Sequence, residues 1–425
     1  MDNQNARETS LRSCALTEPL LSHSKSDQSL KTQRLDAPSS AAFIANNEDL
    51  LTQILLNLPP KSLLRFQGVS KQWLSIISSP AFRRFHWRRY PTTSTLALIL
   101  FTKSNPDLSF LAFREEDVNS MTTITSKLSY FLDGEILALH SCKGLLCIKF
   151  YSFYGAIEFI VYNPTTCQYR VIPQHKPAKE RYGFPIMNIA FNPLKSDHYK
   201  IVCVWEDLSE NQFHFLVYSS KTRAWRDNSE TVEMHGHPFY FERGVLWNGD
   251  LHWISEWWGT LCFDLDNECL RPEMPYLPTP TVHQKVVYFF GESGDNLYYI
   301  GLNEVRTMLF NVFALERDYS QWIVKYIVDL APLTTMYPEM VAEMYDSSDV
   351  WRCPLDMPCF LVDEKEKKAM LVISGWGRVI SYDIDNGSVK DLVEVKPFEL
   401  FYPRRNVLKY RWTEVYQHIE TLSCV

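Results

Sequence analysis

Several residues of this 425-residue chain have types and spacings that would suit metal binding or acid–base catalysis. The His-Gly-His sequence at 235–237 offers two imidazoles, but a zinc site needs further ligands, so we interpret it as part of a loop. The carboxylate pairs Asp264/Asp266 and Asp383/Asp385 recur at equivalent places in a repeat. Recurrence is typical of aspartates that cap turns and unusual for catalytic carboxylates. We therefore predict no catalytic residues, no metal ligands and no cofactor.

Phosphate-binding loops and basic patches are the other features that would indicate a chemistry. Glycine is scarce, with 15 in the chain, and no Walker, GxGxxG, GxSxG or HExxH sequence is present. GWGRVI at 375–380 leads into a β pattern, so we interpret it as a strand turn. Arginines alternate with aromatic residues from Phe82 to Tyr90, as in a nucleic-acid patch. Because the net charge is −7, we favour a helix end with packed aromatics and solvated arginines, and we expect no nucleic-acid partner.

The composition limits the class of protein. With 46% hydrophobic and 14% aromatic residues the chain can bury a large core, which excludes a wholly disordered chain. The longest apolar runs, such as Leu96–Phe101, are far shorter than the roughly 20 residues that span a bilayer. The N-terminus lacks the basic-then-apolar pattern of a secretion signal, and the ten scattered cysteines form no CxxC pair. We expect buried thiols in a reducing compartment, the cytoplasm or the nucleus, and no membrane partner.

The chain divides into three segments. Residues 1–42 are rich in Ser, Thr, Gln and Lys, and we predict a disordered N-terminal tail. Residues 43–90 carry apolar residues at helical spacing, which predicts a small helical domain. Residues 95–422 carry short runs of Val, Ile, Phe, Tyr and Trp between turn signals, which predicts a β domain. The expected fold is therefore mostly β with a small N-terminal all-α module.

The helical segment has recognisable starts and stops. Asn46 or Asn47 can cap a first helix that ends at Pro59-Pro60, because proline offers no N–H. A second short helix follows and loosens at Gly68, Ser70 caps a third, and Pro80 begins a short helical piece that runs through Phe85. So few residues cannot bury all the Leu, Ile and Trp that they carry. The surplus apolar surface predicts docking on another chain or on the rest of this one.

The β segment contains a degenerate repeat. Asn248-Gly249 suits a type I′ hairpin, and a similar hairpin begins at Gly294. An aromatic residue followed by a polar turn recurs from Tyr162 to Tyr382 at an average of about 44 residues, the length of a four-stranded propeller blade. The span predicts an irregular β-propeller of about six or seven blades, with a pair of β-sandwiches as the alternative. A short helical turn is expected near Tyr337–Tyr345.

Particular phrases of the chain resemble a known family. LLNLPPKSLLRFQGVSKQW within 46–73 resembles the F-box of plant F-box proteins. The later phrases SCKGLLCI (141–148), YNPTTCQYRVIP (162–173), FNPLKSDHYKIVCV (191–204), VYSSKTRAWR (217–226) and GVLWNGDLHWIS (244–255) resemble, in order, the F-box-associated domain. The resemblance implies an F-box helical domain at 43–90 and an F-box-associated, propeller-like substrate-binding domain at 95–422.

The resemblance also implies a function and partners. In that family the F-box docks on a Skp-type adaptor, which bridges to a cullin scaffold, and the β domain holds the protein to be ubiquitinated. The chain would be the non-catalytic substrate-recognition subunit of an SCF-type ubiquitin ligase, with an unknown protein substrate. The residues that match the apolar positions of the motif, in contact with the adaptor or in the F-box core, are Leu50, Leu51, Ile54, Leu55, Leu58, Pro59, Leu63, Leu64, Phe66, Val69 and Trp73.

Two departures from the family pattern leave an alternative open. Asn46-Asn47 stands where a Leu-Pro commonly opens the motif, and Gly68 stands where a Cys or similar residue precedes Val-Ser-Lys. Both changes remove apolar surface, so one alternative is a ligase-independent, protein-binding propeller that has lost adaptor attachment. A separate alternative is a propeller hydrolase with a central pocket, but the sequence identifies none of the convergent carboxylates or nucleophile pairs that it would need. No residue identifies a substrate site. The longest unpatterned stretches, 174–186, 206–212, 230–243 and 331–358, are the candidate binding loops.

Overall fold

The computed structural model describes fourteen stretches of the chain. They are residues 47–89, 97–102, 105–112, 122–123, 134–174, 185–233, 239–255, 259–278, 287–302, 307–341, 355–363, 367–375, 378–394 and 414–425. The predicted tail at 1–42 and the His-Gly-His sequence at 235–237 lie outside them.

Four helices follow one another in the helical unit, residues 47–89. They are α1 (Glu48–Leu55), α2 (Pro60–Phe66), α3 (Lys71–Ser78) and α4 (Pro80–Arg89). The Asn47 side chain accepts a hydrogen bond from the Leu50 N–H at 3.0 Å, and Ser70 Oγ accepts one from the Trp73 N–H at 3.2 Å. Both predicted caps are confirmed. None of the helices in the described ranges is long and apolar enough to cross a bilayer.

Pro60 and Pro80 each stand at the first position of a helix. The first helix ends at Leu55, four residues before Pro59, and Pro60 is the first residue of α2, where its missing N–H costs nothing. Pro80 likewise begins α4, which continues to Arg89, beyond the predicted end at Phe85. The expected helical turn near Tyr337 is a pair of one-turn helices, α5 (Leu333–Met336) and α6 (Pro338–Val341).

The β domain contains 24 strands in the described residues. The first twelve are β1 (Ala97–Thr102), β2 (Asn105–Ala112), β3 (Thr122–Thr123), β4 (Gly134–Cys142), β5 (Leu145–Ser152), β6 (Ile157–Asn163), β7 (Gln168–Ile172), β8 (Ile186–Ala190), β9 (Lys200–Asp207), β10 (Gln212–Ser219), β11 (Ala224–Glu233) and β12 (Val245–Trp247). The rest are β13 (Asp250–Ser255), β14 (Gly259–Asp264), β15 (Cys269–Leu270), β16 (Phe289–Ser293), β17 (Asn296–Leu302), β18 (Leu309–Leu315), β19 (Trp322–Asp329), β20 (Asp356–Asp363), β21 (Lys368–Gly375), β22 (Arg378–Asp383), β23 (Val389–Glu394) and β24 (Glu414–His418).

The strands form antiparallel four-stranded sheets in the manner of a β-propeller. Five sheets are built from four consecutive strands each: β4–β7, β8–β11, β12–β15, β16–β19 and β20–β23. Five such blades correct the predicted six or seven. The prediction divided the span of the domain by the length of one blade, which counts the two ends of the domain separately. The two ends instead share the remaining four-stranded sheet, whose order is β24-β1-β2-β3.

Apolar clusters lie between neighbouring sheets and hold them face to face. Between the first two blades, for example, Val161 packs with Ile189 and Ile201. On the sheet that unites the two ends of the domain, Ile99 packs against the blade of Leu146, and Leu98 packs against the blade of Val372. Burial of such side chains contributes roughly 1.5–3 kcal/mol each, so these clusters dominate the stability of the β domain.

Antiparallel pairing gives the β domain two different ends. Within each blade, the connections after the first and third strands lie at one end, the turn end, and the connection to the next blade leaves from the other end, the linker end. The predicted hairpins lie at the turn end: Asn248 and Gly249 have φ of 52° and 93°, and Gly294 and Asp295 have φ of 51° and 59°. The type I′ prediction is confirmed at both.

A buried histidine joins the first strands of neighbouring blades. The His140 Nδ1 accepts a hydrogen bond from the Ile189 N–H at 3.1 Å, so the proton is on Nε2, which donates to the Gly244 carbonyl at 2.7 Å. The Gly244 N–H in turn donates to the Asn188 side-chain oxygen at 3.0 Å. The ring must therefore be neutral, since a second proton would face the Ile189 N–H.

We expect the stability of the β domain to fall in mild acid. Burial lowers the pKa of His140 from 6.5 to about 4 and that of His418 from 6.5 to about 4. Between pH 4 and pH 6.5 the unfolded chain binds more protons than the folded chain. The free energy of unfolding is therefore greatest above about pH 6.5 and falls as the pH drops towards 4. His140 alone accounts for roughly 3 kcal/mol of the fall.

Urea unfolding followed by tryptophan fluorescence at several pH values measures this slope. Replacing His140 with Asn, which cannot titrate, should flatten the slope even if it lowers the stability at neutral pH. Replacing the exposed His198 with Asn is the control and should leave the slope unchanged. An identical slope in all three proteins would contradict the assignment.

Candidate functional site

The paired aspartates are turn residues, as the sequence predicts. The Asp264 carboxylate accepts hydrogen bonds from the N–H groups of Asp266 at 2.9 Å and Asn267 at 2.8 Å. Asp383 accepts from Asp385 at 2.9 Å in the same manner, in the corresponding turn of another blade. Each carboxylate thus closes the turn that follows its strand. The shared geometry explains why the pairs recur.

A group of side chains of metal-ligating types, which the sequence analysis missed, lies at the tip of the β9–β10 hairpin. Asp207, Glu210 and His214 have ligand atoms within 4.8 Å of one another, the one such trio in the described part of the chain. The spacing of these residues was the available signal. One oxygen of Asp207 is already engaged by the N–H groups of Ser209 at 2.9 Å and Glu210 at 3.2 Å. The local hydrogen bonds therefore account for Asp207 as a turn cap without an ion.

All eight cysteines in the described ranges are free thiols. Five of them are buried: Cys142, Cys147, Cys203, Cys262 and Cys359. Burial raises the pKa of Cys142 to about 11, so its reactive thiolate form is rare at neutral pH. Buried thiols were predicted, and none of these five has the exposure that a reactive nucleophile needs.

The eleven apolar residues that the sequence assigns to the helical unit divide into three classes. Leu51, Leu55 and Leu63 are buried, at most 2% exposed. An intermediate class, partly exposed, consists of Leu58, Pro59, Leu64, Phe66 and Trp73. The third class is exposed to solvent: Leu50 (42%), Ile54 (45%) and Val69 (58%). The sequence alone did not separate these classes.

The buried class forms the core of the helical unit. Leu55 and Leu63, which have no exposed surface, pack with Ile77 and Phe82 in one apolar cluster. Phe66 and Trp73 cover this cluster from one side, with their rings edge to face at 5.3 Å between centroids. The unit therefore has a core of its own despite its small size.

The exposed class lies on a free surface of the helical unit. Leu50 and Ile54 are four residues apart in α1, which places them on one face of the helix. Leu74 (46% exposed) and Phe85 (54% exposed), which the sequence analysis did not select, add further apolar surface. No described part of the chain covers these side chains. Exposed apolar surface of this extent is typical of a protein interface.

Another flank of the unit is in contact with the rest of the chain. Leu422, from the segment after β24, belongs to the same apolar cluster as Leu51 and Leu55. The Lys61 ammonium pairs with the Glu420 carboxylate at 2.7 Å. The helical unit thus hides one side against its own chain and leaves another side open.

The arginine-rich helix α4 follows the predicted division in part. Phe82 is buried in the apolar cluster, whereas Arg84, Arg88 and Arg89 are exposed. Phe85 is exposed as well, which departs from the expectation that the aromatics of this helix pack. The guanidinium of Arg89 donates to the Gln53 side chain at 3.0 Å, which ties α4 to α1.

The candidate binding loops share one end of the β domain. The strands that flank 174–186, 206–212, 230–243 and 331–358 all present their linker ends to these stretches. The β5–β6 hairpin has its tip at the same end, with Phe153 82% and Tyr154 87% exposed, and Leu208 at the β9–β10 tip is 68% exposed. The helical unit joins the β domain at the turn end, since its partner segment 419–425 follows β24 there. The two surfaces lie at opposite ends.

Comparison with known proteins identifies both parts of the chain. Residues 47–85 match the model of the F-box domain, and residues 98–410 match that of the F-box associated beta propeller domain. The chain is similar to an F-box protein of Arabidopsis thaliana, 28% identical over 406 residues, covering 91% of this chain and 94% of the relative. It is also similar to an F-box/kelch-repeat protein of the same plant, 28% identical over 256 residues, covering 55% and 59% respectively.

The classes of apolar residues predict different effects of neighbouring substitutions. Leu55→Ala should lower the free energy of unfolding of the helical unit by about 2–5 kcal/mol, because it leaves a cavity in the core. Ile54→Ala, its neighbour in α1, should change stability by less than about 1 kcal/mol, since almost half of the residue is exposed to solvent. Hydrogen exchange of the α1 amides in the full-length chain measures both. Equal changes in the free energy of unfolding would contradict the division into a buried and an exposed class.

Proposed function

The chain belongs to the family of F-box proteins that carry an F-box associated β-propeller domain, and on that premise we propose that it is a substrate-recognition subunit of an SCF-type cullin ubiquitin ligase. The F-box would bind a Skp-type adaptor and, through it, a cullin scaffold. The β domain would hold the protein to be ubiquitinated. The subunit itself would need no cofactor and form no bond, because its contribution is proximity between substrate and the ubiquitin-carrying enzyme.

The observation that carries this proposal is the uncovered apolar face of the helical unit. Leu50 and Ile54 are more than two-fifths exposed, although the unit already buries a core of its own. A surface of this kind is stabilised when another chain covers it, and a few central anchors then supply most of the binding energy. We assign the adaptor contact to this exposed class and the half-buried residues beside it, and we assign the buried class to the F-box core.

The two departures from the family pattern bear on the strength of that contact. Asn47 caps α1, so the unusual opening replaces apolar surface with a helix cap and keeps the helix start. Gly68 is exposed next to Val69 and offers no side chain to a partner. We expect the adaptor to bind, with its affinity reduced by the apolar contacts that these positions lack.

The substrate surface is proposed at the linker end of the β domain. Phe153 and Tyr154 are the most exposed aromatic side chains in the first blade, and aromatic residues are frequent anchors in interfaces. The linker end faces away from the helical unit, which leaves it accessible when the adaptor is bound. A role in this pathway would place the protein in the cytoplasm or the nucleus.

Charged substitutions in the exposed class should weaken adaptor binding without unfolding the F-box. The double variant Leu50→Asp/Ile54→Asp should weaken binding to a purified Skp-type adaptor by at least about 2 kcal/mol, because it introduces two unpaired carboxylates into the contact. Isothermal titration calorimetry with the full-length chain gives the affinity. Leu58 and Leu64 are less suitable for this test, since both pack against the F-box core.

The matched control is Val324→Asp/Ile327→Asp. These residues are 51% and 61% exposed on the outer strand β19, so the substitution makes the same chemical change far from the F-box. The control should bind like the unmodified chain. Absence of adaptor binding by the unmodified chain would instead favour the ligase-independent binding protein.

Loss of the exposed aromatics should separate substrate binding from adaptor binding. We expect Phe153→Ser/Tyr154→Ser to lose the proteins that the unmodified chain labels in a proximity-labelling experiment, while the adaptor stays labelled. The control Val324→Ser/Ile327→Ser removes exposed apolar groups from another blade. If both variants label the same proteins as the unmodified chain, the β5–β6 hairpin is not the substrate surface.

A further inference from the structure

The last residues of the chain lie between the helical unit and the β domain. This C-terminal segment, residues 419–425, leaves β24 at the turn end and contacts both parts. Between the described helices of the unit and the strands of the β domain there is no more than marginal direct contact. The segment is therefore the main described connection between the two.

On the β side, Asn163 holds the backbone of the segment. The Asn163 side chain is fully buried, and its NH₂ group donates to the carbonyls of Thr421 at 3.1 Å and Ser423 at 2.7 Å. Its oxygen accepts from the Thr165 N–H at 2.9 Å, which keeps the turn after β6 closed. The Asn163 oxygen thus accepts a hydrogen bond from the turn, and its nitrogen donates hydrogen bonds to the C-terminal segment.

Further contacts complete this attachment. The Thr421 N–H donates to Thr165 Oγ1 at 3.1 Å, and the Arg170 guanidinium donates to the Val425 carbonyl at 2.8 Å. At Gly144, with φ of +87°, an added Cβ would lie 2.3 Å from the Ile419 carbonyl oxygen, so only glycine admits the segment there. The first blade is shaped to receive these residues.

On the helical side, the same segment completes the F-box core. Leu422 is 8% exposed and packs in the apolar cluster with Leu51 and Leu63. Glu420 pairs with Lys61, and Cys424 Sγ accepts a hydrogen bond from the Arg83 guanidinium at 2.9 Å. Side chains of alternating residues of the segment therefore contact the helical unit, while the backbone carbonyls between them accept hydrogen bonds from the first blade.

We propose that the C-terminal segment is a mount that fixes the orientation of the F-box on the β domain, and that Asn163 is its positioning residue. The functional part of this inference rests on the proposed ligase role. A substrate held at the linker end reaches the ubiquitin-carrying enzyme only if the angle between the two parts is maintained, because proximity acts through orientation as well as distance. A loose F-box would present many angles.

The substitution Asn163→Asp tests the mount with a minimal change of shape. It keeps the oxygen that closes the turn and replaces the two N–H donors with an oxygen that faces two carbonyls. Hydrogen exchange of the full-length chain at pH 7.5 should show the Thr421 and Ser423 amides exchanging at least about tenfold faster, since buried hydrogen bonds are lost. Leu422→Ser detaches the segment from the helical side and should have the same effect.

Asn192→Asp is the matched control. Asn192 also precedes a proline in a turn of the next blade, and its oxygen accepts from the Leu194 N–H at 3.0 Å. Among the described residues, its side chain makes no hydrogen bond to the C-terminal segment. This variant should leave the amide hydrogen exchange of residues 419–425 unchanged.

The ligase reconstituted with a Skp-type adaptor supplies the functional readout. Mass spectrometry of the self-ubiquitinated chain should find few modified lysines in the unmodified protein and a broader set in Asn163→Asp, while adaptor affinity stays within about threefold. Asn192→Asp should give the unmodified pattern.

Three results would overturn the mount. The first is an unchanged hydrogen exchange of residues 419–425 in Asn163→Asp and Leu422→Ser. The second is an unchanged set of modified lysines despite faster exchange. The third is loss of adaptor binding together with unfolding of α1–α4, which would make the segment merely part of the F-box fold. If the unmodified chain binds no adaptor, the proposed ligase function fails, and the exchange data still decide whether the segment fixes the helical unit.

Discussion

The antiparallel pairing of β1 with β24 is the interaction on which the arrangement of this protein depends. It joins Ala97 to His418 across most of the chain and unites both ends of the β domain in one sheet. Because β24 ends where β1 begins, the helical unit that precedes β1 and the segment that follows β24 meet at the turn end. Without this pairing the F-box would have no defined place on the β domain.

The turn end and the linker end of the β domain differ in the kinds of groups that they present. At the turn end, tight turns, Gly144 and Asn163 fit one short segment of the chain closely. At the linker end, Phe153 and Tyr154 extend into solvent with little support. The turn end thus buries its polar groups in specific hydrogen bonds, whereas the linker end keeps these aromatic groups exposed.

The sequence predicted the local elements well and the assembly less well. Asn47 and Ser70 were recognised as caps, and Asn248-Gly249 as a hairpin, because each depends on interactions within a few residues. The blade count was wrong because it treated the two ends of the β domain as separate blades, whereas β24 and β1, far apart in sequence, share one sheet. The division of the eleven apolar residues was not predictable either, since Leu50 and Leu51 are neighbours of one type and only the fold buries one and exposes the other.

The sequence by itself therefore determined the class of the protein: an F-box followed by a β-propeller-like domain, with the turns, caps and apolar periodicity that each element needs. Those features depend on contacts between near neighbours along the chain. Only the tertiary structure decided which apolar residues of the F-box remain open, which end of the β domain carries the helical unit, and that residues 419–425 join the two. The first depends on how the four helices pack on one another. The other two depend on pairs of residues hundreds of positions apart, such as Asn163 and Ser423, which meet because the sheet closes and not because of a local pattern.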